Sequence, residues 1–159
     1  METHPLEPWR RDDLIAHAGH VLDSFRRMLG RELLPRSGNA FDDARRLFEA
    51  RQIVVSHGTE ADPVLNYGNG AALALWETDF ATLTTMPSRL TAEAPERDER
   101  ARLLERTSRD GFVDDYRGVR ISTRGRRFLI DRAVVWNLAD DAGRPIGQAA
   151  TFERWTFLP

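Results

Sequence analysis

The length and composition of the chain indicate one small folded domain. Its 159 residues, 41% of them hydrophobic, suffice for one sizeable core, and a net charge of -2 gives no bias toward nucleic acid. The absence of cysteine excludes disulfides, thiolate nucleophiles, cysteine-ligated zinc and any cysteine-linked chromophore. The sequence has no secretory signal and no apolar run of about 18 residues, so we expect a cytoplasmic protein without a membrane segment.

The first predicted element is an amphipathic helix from Asp12 to Leu29. Its apolar residues recur at steps of three and four, as Leu22 and Phe25 do, and form a wide stripe. The stripe fits two roles equally well: docking on the protein's own sheet, or pairing with a second copy of the chain or the helix of another partner. We assign residues 1–38 to an N-terminal extension that carries this helix, and residues 39–159 to the domain proper.

The middle of the chain alternates short strands and short helices. A helix from about Phe41 to Ala50 is followed by short strands at residues 53–55 and 64–67. Asn69 then precedes a run of good helix formers, residues 70–76, whose first amide groups its side chain can cap. A hairpin therefore leads directly into a helix.

The segment from Pro95 to Arg109 is the most highly charged helix. Glu96 and Arg100 are one of several acid–base pairs at the favourable i, i+4 spacing, while Ala101 and Leu104 supply only a narrow apolar seam. We therefore predict a hydrated helix that lies on the surface.

The stretch from Tyr116 to Leu158 predicts three consecutive strands with tight turns. The second strand covers residues 127–138 and the third residues 146–157, and both are rich in β-branched and aromatic side chains. With the two earlier strands they make an α+β domain: a five-stranded antiparallel sheet with helices on one face, preceded by the N-terminal amphipathic helix. This order of elements resembles the PAS fold, in which the middle helices and the sheet enclose a small cavity.

Several short blocks, in register over about residues 14–155, resemble the MEKHLA domain family. The resemblance implies a PAS-like sensory or regulatory module, of the kind found as stand-alone bacterial and algal proteins and at the C-terminus of plant homeodomain-leucine zipper transcription factors. The matching blocks are Asn66 to Asn69, Pro87 to Glu93, Tyr116 to Ser122, Gly125 to Phe128, Val135 to Asn137 and Gly147 to Phe152.

Our first functional hypothesis is a non-catalytic module that binds a small molecule or a protein partner and signals through its N-terminal helix. Asn137 and Gln148 share strand parity with inward-facing apolar residues, so both amides are expected to face the cavity. By analogy with flavin-binding PAS domains they would hold a planar, heteroatom-rich ligand; alternatively, they satisfy each other in an internal network. No cofactor is assigned.

Cations and aromatic residues complete the candidate site. Arg89, Arg120 and Arg127 are expected near the cavity mouth, with Arg120 and Arg127 on the outer face by strand parity; pairing with Glu93 or a nearby aspartate is the alternative role. The ligand-binding candidates are Tyr67, Asn69, Trp76, Arg89, Trp136, Asn137 and Gln148.

Two other hypotheses remain open. A small cavity enzyme, an isomerase or hydrolase, would use His57 as general base assisted by Asp62. A purely structural interaction domain would have its cavity filled by Trp76 and Trp136. No metal site is predicted, since no carboxylate is placed to complete a site with the histidines of the first helix.

Overall fold

The computed structural model describes residues 7–159. Residues 1–6, which begin the predicted N-terminal extension and include His4, lie outside the described residues. Within the described range, no helix combines the length and apolar character that crossing a membrane requires. In chain order the elements are a 3₁₀ turn at Pro8–Arg10, α1 (Asp12–Leu29), α2 (Ala40–Glu49), β1 (Ile53–His57), β2 (Leu65–Gly68), α3 (Gly70–Trp76), α4 (Phe80–Leu83), a 3₁₀ turn at Ser88–Thr91, α5 (Ala94–Asp110), β3 (Phe112–Ile121), β4 (Arg127–Ala139), β5 (Pro145–Phe152) and β6 (Arg154–Phe157).

The strands form one antiparallel sheet in the order β2-β1-β5-β4-β3. The predicted third strand of the meander is interrupted at Glu153. β5 pairs with residues 134–139 of β4, and β6 pairs with residues 128–131 in a continuing register. Arg132 stands opposite the interruption with φ +53°, a backbone conformation that breaks the ladder. The predicted five-stranded sheet is confirmed, with β6 as a continuation of β5.

Helices cover both faces of this sheet. On one face, α1 and α2 bury their apolar stripes against β1, β4 and β5. The Phe25 ring of α1 stands edge-on to Trp136 of β4 with 4.9 Å between ring centroids. Each fully buried side chain of this size contributes about 1.5–3 kcal/mol of apolar burial. Of the two roles predicted for the α1 stripe, the structure therefore contains docking on the protein's own sheet.

The opposite face is covered by α3 and α5. Trp76 at the end of α3 and Leu103 of α5 are buried with Phe128 and Val135 of β4 in a second apolar cluster. The Trp76 and Phe128 rings meet edge-on at 5.2 Å. This face, unlike the one under α1, contains the cavity described below.

The helix ends follow from local sequence signals. The side chains of Asn39 and Asp79 accept hydrogen bonds from backbone N–H groups of the first turns of α2 and α4, at 2.9 and 2.7 Å. α1 and α5 both stop at glycines with positive φ, +73° at Gly30 and +92° at Gly111. These signals end each helix at a defined residue.

Candidate functional site

A partly open cavity of about 70 Å³ lies between the sheet and the helices α3 and α5. Ile130, Ala133 and Val135 of β4 and Ala150 of β5 form its apolar wall. A cavity of about 150 Å³ binds benzene, so this one suits only a smaller ligand. Two arginines, Arg100 and Arg120, also line the cavity.

Arg120 of β3 faces the cavity, and our prediction that it lies on the outer face was wrong. The prediction assumed that Ile121 points inward. In the structure β3 has register irregularities on both sides of Tyr116. The alternation beyond them brings Tyr116 and Arg120 to the cavity, and only 6% of Arg120 is exposed.

Arg120 is held by neutral groups. Its Nη1 donates to the Val119 carbonyl oxygen at 2.8 Å and its Nη2 to the Tyr116 hydroxyl oxygen at 3.0 Å. The Tyr116 hydroxyl in turn donates to Glu99 Oε2 at 2.8 Å. A carboxylate therefore reaches Arg120 only through the tyrosine.

Arg100 of α5 is the second cavity arginine, and the structure overturns its predicted pairing with Glu96. Arg100 turns inward, is 8% exposed, and donates from Nη2 to Ser88 Oγ at 2.6 Å. Burial, and next the charge of Arg120, lower the pKa of Arg100 to about 10. The buried seam of α5 consists of Arg100, Leu103 and Thr107 rather than the predicted alanine and leucine.

His57 closes one end of the cavity at the end of β1. Its Nδ1 lies 3.0 Å from the Gly58 carbonyl oxygen, and its buried Nε2 has no hydrogen-bond partner among the described residues. Burial lowers the pKa of this imidazole. The enzyme hypothesis places His57 correctly, but its assisting acid is elsewhere: Asp62 accepts a hydrogen bond from Arg89 at 3.2 Å.

Asn137 and Gln148 face each other across β4 and β5 and form an internal network. Gln148 Nε2 donates to Asn137 Oδ1 at 3.0 Å and to the Leu104 carbonyl oxygen at 3.0 Å. Asn137 Nδ2 donates to the Thr107 carbonyl oxygen at 3.1 Å. The two amides thus tie the sheet to α5. Gln148 also lines the cavity, whereas Asn137 lines an open groove beside it.

The remaining candidates divide between the two faces of the sheet. Trp76 lines the cavity, and its buried Nε1 has no hydrogen-bond partner in the described part of the chain. Trp136 and Tyr67 pack in the core under α1, so the two tryptophans do not fill one space. Asn69 is fully buried and structural: its Oδ1 accepts from the backbone N–H groups of Val54 and Ala72, each at 3.1 Å.

Arg89 and Arg127 lie outside the cavity. Arg89 is about half exposed and pairs with Asp62, while Arg127 lies 3.8 Å from Glu93, one of the partners that the sequence suggested. Both cations therefore have surface carboxylates as partners, in contrast to Arg100.

The flavin-like ligand expected by analogy does not fit this arrangement. The cavity of about 70 Å³ is about half the volume of a cavity that binds a single benzene ring, about 150 Å³, whereas an isoalloxazine has three fused rings. Gln148 Nε2 donates to Asn137 Oδ1 and to an α5 carbonyl oxygen, and Asn137 Nδ2 donates to another α5 carbonyl oxygen, so neither amide nitrogen is free for a ring. These two amides are therefore not available to hold a flavin ring.

A polar connection runs from β1 to α1 through Ser56, a residue that also lines the cavity. The Ser56 hydroxyl donates to Asn66 Oδ1 at 2.5 Å and lies 2.8 Å from His17 Nε2. Because the serine proton is used on Asn66, His17 donates from Nε2 and keeps its other nitrogen unprotonated. Burial lowers the pKa of His17 to about 4. Sequence reasoning did not connect these three residues, which lie far apart in the chain.

Solved structures share this fold at low sequence identity. A PAS domain from Colwellia psychrerythraea aligns with a TM-score of 0.62 at 8% identity, over 74% of this chain and 94% of that one. The light-state dimer of the fungal blue-light photoreceptor Vivid aligns with a TM-score of 0.60 at 15% identity, over 93% and 98% of the two chains. Likeness at these identities establishes a PAS-like fold.

Sequence comparison identifies the family. The chain is 24% identical over 158 residues to the homeobox-leucine zipper protein HOX32 of Oryza sativa subsp. indica, an alignment that covers 99% of this chain and 17% of HOX32. The chain thus spans about a sixth of the length of that relative. The MEKHLA domain matches residues 15–157, a range that begins inside α1 and includes the whole sheet. The protein belongs to the MEKHLA domain family.

Proposed function

We propose that the protein is a ligand-sensing regulatory module, without catalytic activity, in which occupation of the cavity changes the packing of α1. Membership of a PAS-like family supports a regulatory role in general. The observation that carries the proposal is that β1 lies between the cavity and α1. Consecutive residues of this strand contact the cavity, through His57, and α1, through Ser56 and His17.

The coupling needs two arrangements of β1 that differ in ligand affinity. A ligand that contacts His57 changes the end of β1, where the register of the β1–β2 pair already shifts between Ser56 and His57. Ser56 moves with His57 because the two residues are adjacent in β1. The hydrogen bonds of Ser56 to His17 and Asn66 pass the change to α1. The signal is therefore a change in how firmly α1 is held on the sheet.

The ligand enters through an open groove of about 580 Å³ beside the cavity. Three side chains, His57, Leu104 and Gln148, line both spaces and form the wall between them. Rotation of these side chains opens a path without unfolding the sheet. This wall includes His57, the β1 residue at which the coupling to α1 begins.

The output proposed for this module is pairing between two chains. The apolar stripe of α1 is covered by the sheet, and loosening of α1 would present it to a second copy. A light-state dimer is known for one structure with this fold, Vivid. A cytoplasmic setting completes the proposal and fits a chain without cysteine.

Thermal unfolding of the full chain with a panel of small metabolites tests the proposal. At least one compound should raise the melting temperature, and Ala133→Leu, which fills the cavity from β4, should abolish that rise. The exposed Ala101→Leu on α5 is the matched control and should keep it. If every stabilising compound acts equally on Ala133→Leu, the cavity is not the binding site and the proposal fails.

A further inference from the structure

The two cavity arginines carry charge that the described residues leave without a direct counterion. Arg100 and Arg120 are more than nine-tenths buried, and all their hydrogen bonds go to neutral oxygens, those of Ser88, Val119 and Tyr116. Burying a cation costs several kcal/mol unless an anion accompanies it. Two such cations lining one small cavity are expected to have an anionic partner there.

The other free polar groups of the cavity wall are also nitrogens. Trp76 Nε1 is a hydrogen-bond donor and is buried without a partner among residues 7–159. His57 Nε2 is also buried without a partner there, but it is an acceptor, because His57 Nδ1 donates to the Gly58 carbonyl oxygen. Arg100 carries five N–H donors and uses one of them on Ser88. The wall therefore offers more donors than acceptors, the pattern that binds an oxyanion.

The apolar part of the cavity surface indicates that the rest of the ligand is apolar. Ile130, Ala133, Val135 and Ala150, whose side chains contain only carbon and hydrogen, line the same cavity as the arginines. An inorganic anion would leave this wall in contact with water, whereas a short aliphatic tail would cover it. The small volume of the cavity limits the ligand to a short tail.

We infer that the cavity binds a short-chain aliphatic carboxylate, with the carboxylate between Arg100 and Arg120 and the tail against β4 and β5. This inference rests on the ligand-sensing function proposed above and specifies its ligand class. Planar guanidinium groups suit a carboxylate because they offer paired N–H donors. Neither Glu99 nor Asp62 contacts these arginines directly: Glu99 accepts from Tyr116, and Asp62 pairs with Arg89.

Calorimetric titration of the full chain compares three probes: butyrate, its neutral isostere butyramide, and inorganic phosphate. Butyrate should bind at least tenfold more tightly than butyramide, because only the charged group has donors waiting for it. It should also bind more tightly than phosphate, which has no tail for the apolar wall. Arg100→Met and Arg120→Met should each weaken butyrate binding at least tenfold, and Arg102→Met, an exposed neighbour on α5, should leave it unchanged.

The outcomes separate this inference from the function on which it rests. Equal binding of butyrate and butyramide overturns the anion site but leaves a sensing cavity intact. If phosphate binds as tightly as butyrate, the cavity binds an inorganic anion, and the assignment of the ligand as an aliphatic carboxylate is overturned. No binding of any probe also overturns the inference, while the metabolite panel with Ala133→Leu decides the sensing function separately. The comparison on the wild-type chain stands even if an arginine variant does not fold.

Discussion

Replacement of the Arg100–Ser88 pair by apolar residues should stabilise the free protein. Replacing a residue that stabilises the fold makes the protein less stable. A residue that serves to bind a ligand, by contrast, often makes the ligand-free protein less stable. Arg100 is buried, donates to Ser88 Oγ at 2.6 Å, and has Arg120 as a neighbouring charge. The double variant Arg100→Met/Ser88→Ala removes the cation and also the hydroxyl that would otherwise lose its donor.

The size of the effect follows from the pKa of Arg100. A fall from 12.5 to about 10 means that the folded protein disfavours the charged form. At about 1.4 kcal/mol for each pKa unit, the penalty is about 3 kcal/mol. Loss of the hydrogen bond subtracts about 1 kcal/mol, and the methionine side chain packs in the space of the arginine stem. We expect a net gain of about 1–3 kcal/mol, as found when buried charges are replaced by apolar groups.

Urea unfolding followed by circular dichroism measures this gain as a change in the free energy of unfolding. The melting temperature should rise by on the order of 5 °C for a chain of this size. The exposed Arg102→Met on the same helix should change stability by less than about 0.5 kcal/mol. A double variant that is less stable than wild type by about 1 kcal/mol or more refutes the reasoning, since Arg100 would then be a structural residue.

Three further predictions concern the residues that hold β1 in place. The pKa of His17 is about 4 in the folded chain against about 6.5 in the unfolded chain, so protonation at low pH favours the unfolded state. As the pH falls from 6.5 to 4, the free energy of unfolding of wild type should fall by up to about 3 kcal/mol relative to that of His17→Gln. A difference between the two proteins that does not change with pH in urea titrations would contradict this. Gly147→Ala should cost at least about 2 kcal/mol, because φ is +143° and a Cβ would stand 1.8 Å from the His57 carbonyl oxygen; Gly143→Ala, with open space, should cost less in the same assay. Asn69→Ala should cost about 3 kcal/mol, since it leaves a helix cap and a buried strand N–H without an acceptor, and a loss below about 1 kcal/mol would show otherwise.

The fold followed closely from the sequence because its signals are local. The stripe of α1, the cap at Asn69 and the glycine after α5 each act over a few residues, and the structure contains all three. In β4, Val135 lies on the cavity face and Trp136 lies under α1, although Trp136 was among our ligand-binding candidates. Patterns of this kind depend on backbone geometry, which neighbouring residues determine.

The site was harder to predict because its residues break local rules. Arg100 belongs to a helix of charged residues, and nothing in the i, i+4 pattern distinguishes the one cation that turns inward. Arg120 was assigned to the wrong face because the irregularities around Tyr116 change the strand alternation and leave no mark in the sequence. The amide network was one of two stated alternatives; choosing it required knowing that the carbonyl oxygens at the end of α5 lie within reach of Gln148.

The central claim is that the cavity and α1 are coupled through β1, and amide hydrogen exchange measures this most directly. Exchange is recorded for the full chain with and without saturating butyrate, in wild type and in Ser56→Ala, which removes the hydroxyl between His17 and Asn66. Butyrate should change exchange rates severalfold in α1 as well as in β1, and Ser56→Ala should reduce the change in α1 while keeping the change in β1. Changes confined to the strands and helices around the cavity, with α1 unaffected in both proteins, would contradict the account.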